Sequence, residues 1–105
     1  ALILGATFKE NCPDLRNSRV VDVYQELNEF GFQVDIFDPE ADAEVFLKEY
    51  GFEKLKVISN NQYDVVILAV SHHCFKAINP KDLIVKRGIV FDVKGFYKDP
   101  DFLYL

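Results

Sequence analysis

The sequence predicts an α/β fold in three layers, a parallel sheet with helices on both faces. Short apolar runs alternate with amphipathic segments along the whole chain, as a sheet sandwiched by helices requires. The run 64–70 is apolar and β-branched almost without interruption, the pattern of a strand buried on both faces. The order of elements reads βαβα(β)βαβ, and parallel strands need such crossovers. That order is Rossmann-like.

Taken in turn, residues 2–4 form the first strand, closed by Gly5. A long stretch, 6–17, precedes the next periodic segment. From Ser18 onward Val20, Val23, Tyr24, Leu27 and Phe30 recur at helical spacing, and Gly31 stands where a helix C-terminal glycine is expected. Asn17 or Ser18 is the expected N-cap. Residues 33–37 alternate polar and apolar and end at Asp38-Pro39, a strand running into a turn. Residues 41–50 read as a second helix closed by Gly51. A short edge strand is expected at 56–58 and a turn at Asn60-Asn61. The segment 75–86 contains a helix starting near Pro80, and 88–93 is another buried strand.

The chain has 105 residues, the size of one domain. Half are hydrophobic and 14% aromatic, enough for a sizeable core. A net charge of -5 argues against general nucleic-acid binding, which needs a basic face. The longest apolar run is far too short to span a bilayer, so no membrane partner is expected. The chain opens inside what reads as a strand, which leads us to expect preceding residues. Cys12 and Cys74 lack metal spacing and are too few for a disulfide scaffold, so reduced thiols in a cytoplasmic protein are expected.

The segment from Gly5 to Ser18 is the most informative. Strand-to-helix loops usually take roughly 2–6 residues, so about a dozen here needs a reason. It leaves the sheet at the C-terminal end of the first strand, where such folds bind ligands. Lys9, Arg16 and Arg19 gather there in an acidic protein, and the helix N-terminus beyond adds positive potential. Phosphate is the natural partner; a structural loop with solvated charges fits the bare residues equally. A dinucleotide fingerprint needs three glycines, and only Gly5 is present, followed by Ala6, Thr7 and Phe8.

The run Leu4-Gly5-Ala6-Thr7-Phe8-Lys9-Glu10-Asn11-Cys12-Pro13-Asp14-Leu15-Arg16-Asn17-Ser18 resembles the opening of the C-terminal UDP-binding domain of the UDP-glucose/GDP-mannose dehydrogenase family. The likeness continues through Leu27, Gly31, Val34 and Asp38-Pro39, then 63–70 with His72 and Phe75, and Asp92-Val93-Lys94-Gly95. The version at 10–16 resembles the branch acting on UDP-N-acetylhexosamines, including Vi-type polysaccharide enzymes. The resemblance implies a domain, 1–105, that binds the UDP-sugar substrate of an NAD-dependent 6-dehydrogenase. Such an enzyme oxidises the sugar C6 alcohol to a carboxylate for polysaccharide biosynthesis, with NAD held mainly by a separate N-terminal domain. It also implies that Phe8 and Lys9 contact the nucleotide sugar and that Arg16 reaches toward NAD. Lys94 matches a position often held by an arginine contributed from a neighbouring subunit, so a homodimer or higher oligomer is expected; lysine keeps the charge and loses the bidentate fork.

No catalytic residue is expected in these 105 residues. The family's cysteine nucleophile belongs to a glycine-rich motif that does not occur here, so Cys12 is read as noncatalytic. His72-His73 lacks the carboxylate or cysteine partners of a metal site, and His72 is the better candidate to line the cleft. Asp38 is expected to cap the Pro39 turn rather than bind a ribose, and Asn11 and Asp14 to support the loop, Asp14 by orienting Arg16 or the backbone. A stand-alone Rossmann-like anion- or nucleotide-binding regulatory module is the alternative function. A signalling receiver would need paired acidic residues after the first strand, where Gly5-Ala6-Thr7 offers none.

Overall fold

The computed structural model describes residues 1–15 and 18–104. Five strands form one sheet: β1 (Leu2–Leu4), β2 (Asp35–Phe37), β3 (Tyr63–Leu68), β4 (Ile84–Asp92) and β5 (Leu103–Tyr104), in the order β2-β1-β3-β4-β5. Every pairing is parallel. The chain steps outward from β1 to β2, then returns to the other side of β1. The topological switch point therefore lies between β1 and β3. Register sets the faces: Ile3 pairs with Ile36 and Ile67, while Leu2 and Leu4 pair across to Val66 and Leu68. Alternation sends these two sets to opposite sides.

Helix α1 (Val20–Glu29) turns Val20, Tyr24 and Leu27 toward the Ile3 face and ends before Gly31, whose φ of +92° suits glycine. Helix α2 (Ala43–Tyr50) starts two residues later than the pattern suggests, because the Asp42 carboxylate caps it by accepting from the Val45 amide at 3.0 Å. Its Phe46 and Tyr50 join the same cluster around Ile3 and Ile36. The α/β Rossmann-like class is therefore as expected, with both α-helices on one face. The opposite face is covered by two 3-10 helices, His73–Ala77 and Pro80–Asp82, through Phe75 and Leu83 against Leu2, Leu4 and Val66.

Three local expectations differ. Pro80 opens only one 3-10 turn, because the Leu83 carbonyl is taken by the Gln62 and Tyr63 amides at 3.0 Å and the chain must enter β4. Residues 56–58 form no strand; Leu55 donates one bond to the Ile36 carbonyl at 2.8 Å on the outer edge of β2, then Leu55 and Ile58 pack over the Leu2 face. Strand β4 begins at Ile84, with a register shift opposite Tyr63 and Val65 that absorbs the residues before Ile89. The two-residue strand β5 carries too short a pattern to be read. The Ile67 side of β3 and β4 is also less covered than a doubly buried strand would be. Val20, Val23, Val65, Ile67, Ile89 and Phe91 line an open apolar groove of about 550 Å³.

Gly5 makes the exit from the sheet possible. Its φ is +96°, and a β-carbon there would lie 2.6 Å from Val70 Cβ and 2.9 Å from the Val70 nitrogen. The loop thus crosses directly over the chain leaving β3. Replacing Gly5 with alanine combines left-handed strain of roughly 1–2 kcal/mol with overpacking of roughly 1–3 kcal/mol. We expect Gly5→Ala to lower the unfolding free energy by about 2–5 kcal/mol, read as an earlier urea midpoint; an unchanged midpoint would contradict this role.

Candidate functional site

The ends of β1, β2 and β3 meet at a buried carboxylate. Asp38, which follows β2, accepts the Ala6 amide at 2.6 Å through Oδ2 and the Glu40 amide at 2.9 Å through Oδ1. The second bond is the expected cap of the Pro39 turn. His72, which follows β3, brings Nε2 within 3.0 Å of the same Oδ2 and 3.1 Å of Thr7 Oγ1. All three side chains are fully or almost fully buried. Asp38 therefore has no exposed oxygen to offer a ribose. Burial alone pushes its carboxyl upward, but the hydrogen bonds from His72 and the Ala6 and Glu40 amides outweigh that and hold it below the usual range.

This tie shapes the loop above it. Thr7 Oγ1 donates to the Lys9 carbonyl at 3.0 Å, and the Phe8 amide donates to the Asp14 carbonyl at 2.7 Å, closing the loop on itself. Ser18 Oγ accepts the Val20 amide at 3.2 Å and donates to the Thr7 carbonyl at 3.4 Å, tying the start of α1 to the loop. The N-cap of α1 is Arg19, one residue later than expected and without a side-chain cap, and Ser18 braces the turn before it; Asn17 lies outside the described residues. With its interior fixed, the loop turns Phe8, 54% exposed, and Lys9 outward.

Phe8 and Lys9 line a cleft of about 240 Å³ with Thr7, Glu10, Arg19, Val70 and Lys94. It sits over the C-terminal ends of β1, β3 and β4, at the switch point where open α/β sheets take ligands. Lys94 is carried there by a second buried carboxylate: Asp92, ending β4, accepts the Lys94 amide at 3.1 Å and the Tyr97 amide at 2.8 Å. The fold therefore gathers Phe8, Lys9 and Lys94, with Arg19 from the start of α1. Three cations, with the carboxylate of Glu10, line this one small cleft in a chain of net charge -5. Arg16 lies outside the described residues, and so does the proposed pairing of Asp14 with it. The half-buried Asp14 takes part in the loop through its carbonyl.

The loop does not fit a dinucleotide pyrophosphate. Such a cradle needs free backbone amides, and here those of Gly5, Ala6, Phe8 and Asn11 are all bonded within the protein. Among the described residues, no group of three or more His, Cys, Asp or Glu side chains could hold a metal ion. Cys12 and Cys74 are half-buried free thiols, and burial pushes the Cys74 thiol upward. No helix of the described residues is long and apolar enough to cross a membrane.

A parallel sheet in this order, with its cleft at the switch point, defines an α/β Rossmann-like domain. Residues 2–99 match the UDP-glucose/GDP-mannose dehydrogenase family, UDP binding domain, and the chain belongs to that family. It is 45% identical over 103 residues to a UDP-N-acetyl-D-glucosamine 6-dehydrogenase of Salmonella typhi, covering 98% of this chain and 22% of the relative. The corresponding enzyme of Pseudomonas aeruginosa is 47% identical over 96 residues, covering 89% and 23%. The fold matches the UDP-N-acetyl-mannosamine dehydrogenase Cap5O of Staphylococcus aureus with a TM-score of 0.73, at 24% identity over 98% of this chain and 24% of that one. The chain spans less than a quarter of the length of these relatives.

The depressed Asp38 carboxyl makes the site acid-sensitive. Its stabilisation is complete above the unfolded value of 3.8 and is lost as pH falls through the lower folded value. Asp38→Asn is expected to be less stable at neutral pH and to lose less further stability on acidification below about pH 5. Chemical denaturation at several pH values checks this; parallel pH curves for the two proteins would contradict it.

Proposed function

We propose that this chain is the UDP-sugar-binding, C-terminal domain of a longer NAD-dependent nucleotide-sugar 6-dehydrogenase. The observation that carries the reading is the cleft at the switch point, where Lys9, Arg19 and Lys94 face one space beside the exposed ring of Phe8. A UDP-sugar suits it chemically. Its diphosphate takes the ammonium and guanidinium charges, and its flat or apolar faces take an aromatic side chain. The names of the two bacterial relatives support a UDP-N-acetylhexosamine as the substrate. The whole enzyme would oxidise the sugar C6 alcohol to a carboxylate, giving a uronic acid for polysaccharide assembly in the cytoplasm.

This chain's own residues bind and orient. Lys9 holds phosphate or sugar hydroxyls near the reacting carbon, Phe8 packs on the nucleotide sugar, and Lys94 adds charge from the turn after β4. NAD supplies the hydride acceptor in such an enzyme; with the Gly5, Ala6, Phe8 and Asn11 amides bonded within the protein, it would be held mainly by another domain of the longer polypeptide. Arg16 is proposed to reach toward it. Lys94 is proposed to serve a site completed by a second subunit in a homodimer or higher oligomer.

In the full-length dehydrogenase, Lys9→Ala removes a charge-assisted hydrogen bond worth roughly 1.5–3 kcal/mol. We expect kcat/KM to fall about 10–150-fold with an unchanged melting temperature, since an exposed loop lysine supports no core. This 105-residue chain alone should form no NADH from any UDP-sugar. Wild-type kcat/KM in the variant, or turnover by the chain alone, would contradict the assignment.

A further inference from the structure

The Asn11 backbone amide donates to His72 Nδ1 at 2.8 Å, so that ring nitrogen carries no proton. The proton of the neutral ring then sits on Nε2, facing Asp38 Oδ2 at 3.0 Å and Thr7 Oγ1 at 3.1 Å. Thr7 spends its own hydroxyl proton on the Lys9 carbonyl, which leaves its oxygen free to accept. One tautomer satisfies every partner. The contact is also reciprocal, because the His73 amide donates to Asn11 Oδ1 at 2.8 Å. Asn11 has a φ of +57°, a left-handed conformation that asparagine adopts more readily than most residues.

We propose that His72, held as the Nε2–H tautomer, is the positioning residue for the ligand-binding loop. It fixes Asn11 on one side and Asp38 on the other, so the intervening turn presents Phe8 and Lys9 to the cleft. The ring touches no part of the cleft surface itself: it is fully buried, packed against Phe75, and absent from the cleft lining. Its effect on the ligand therefore passes through Asn11 and Thr7. The inference rests on the proposed UDP-sugar site for its binding readout, and on the hydrogen-bond geometry alone for its spectroscopic one.

The two nitrogens make separable demands. An asparagine at 72 can place its amide oxygen where Nδ1 stands and keep an acceptor for the Asn11 amide. A glutamine reaches toward the Nε2 position and keeps a donor to Asp38, but leaves that amide unpaired. A purely structural histidine would show no such distinction.

The test has two arms. In this chain, nitrogen-15 spectra of the His72 ring are expected to show an unprotonated Nδ1 and a protonated Nε2 at neutral pH; the opposite tautomer would overturn the proposal whatever the ligand. In the full-length dehydrogenase, UDP-N-acetylglucosamine affinity is measured for His72→Asn, His72→Gln and Lys9→Ala, with a melt of each. We expect His72→Asn to stay within about threefold of wild type and His72→Gln to lose about tenfold, one lost hydrogen bond. Equal affinity in the two His72 variants, with Lys9→Ala still impaired, would overturn the positioning role and leave the site standing. Unimpaired Lys9→Ala would instead count against the site. Should His72→Gln fail to fold, the ring spectrum of the wild-type chain decides the matter.

Discussion

A buried carboxylate at the C-terminal edge of the sheet governs the geometry of everything above it. Asp38 collects the Ala6 amide from the end of β1, the Glu40 amide beyond β2 and the His72 ring beyond β3. Three parallel strands, paired through their backbones and packed through a shared core, are thereby also tied at one point by side-chain hydrogen bonds. An ionised carboxylate with no exposure is costly unless its oxygens are paired, and here each oxygen has a backbone amide donor of its own. That requirement makes the loop after β1 rigid at its base. A ligand site built on so long a loop needs such a base, because an unsupported dozen residues would lose much of their binding energy to ordering.

Asp92 repeats the device one strand further along. Its buried carboxylate takes the Lys94 and Tyr97 amides and so fixes the turn that carries Lys94. Lys9 and Lys94 are thus exposed side chains on backbone segments that buried aspartates hold in place. Two of the carboxylates beneath the cleft, Asp38 and Asp92, are taken up by backbone amides, which makes the proposed anion site compatible with net acidity.

Much of this was legible in the sequence, and the parts that were not have physical causes. The length of the β1–α1 loop and its cations point to the proposed cleft, and its missing glycines argue against a dinucleotide cradle. Gly31 and Gly51 ended helices as their positions suggested. The helix expected at Pro80 was lost to a long-range competition, since Leu83 bonds back to Gln62 and Tyr63, residues some twenty positions earlier. The strand expected at 56–58 failed because an apolar pattern can serve packing over a sheet face as well as pairing at its edge. Asp38 read correctly as a turn cap, yet its bonds to Ala6 and His72 join residues more than thirty positions apart, and no local pattern announces them. His72 was singled out as lining the cleft; it lies beneath the loop instead, acting through Asn11 and Thr7. One available signal was the pairing of a histidine just beyond a buried strand with an aspartate at the end of another, since parallel strands bring their ends together.

The central claim is that the cleft over β1, β3 and β4 receives the nucleotide sugar. Titrating this isotope-labelled chain with UDP-N-acetylglucosamine while following backbone amide resonances tests it most directly. The account predicts saturable shifts concentrated at Phe8, Lys9, Arg19, Val70 and Lys94. Shifts confined to the opposite edge of the sheet, around Asn61, Lys81 and Lys86, would contradict it.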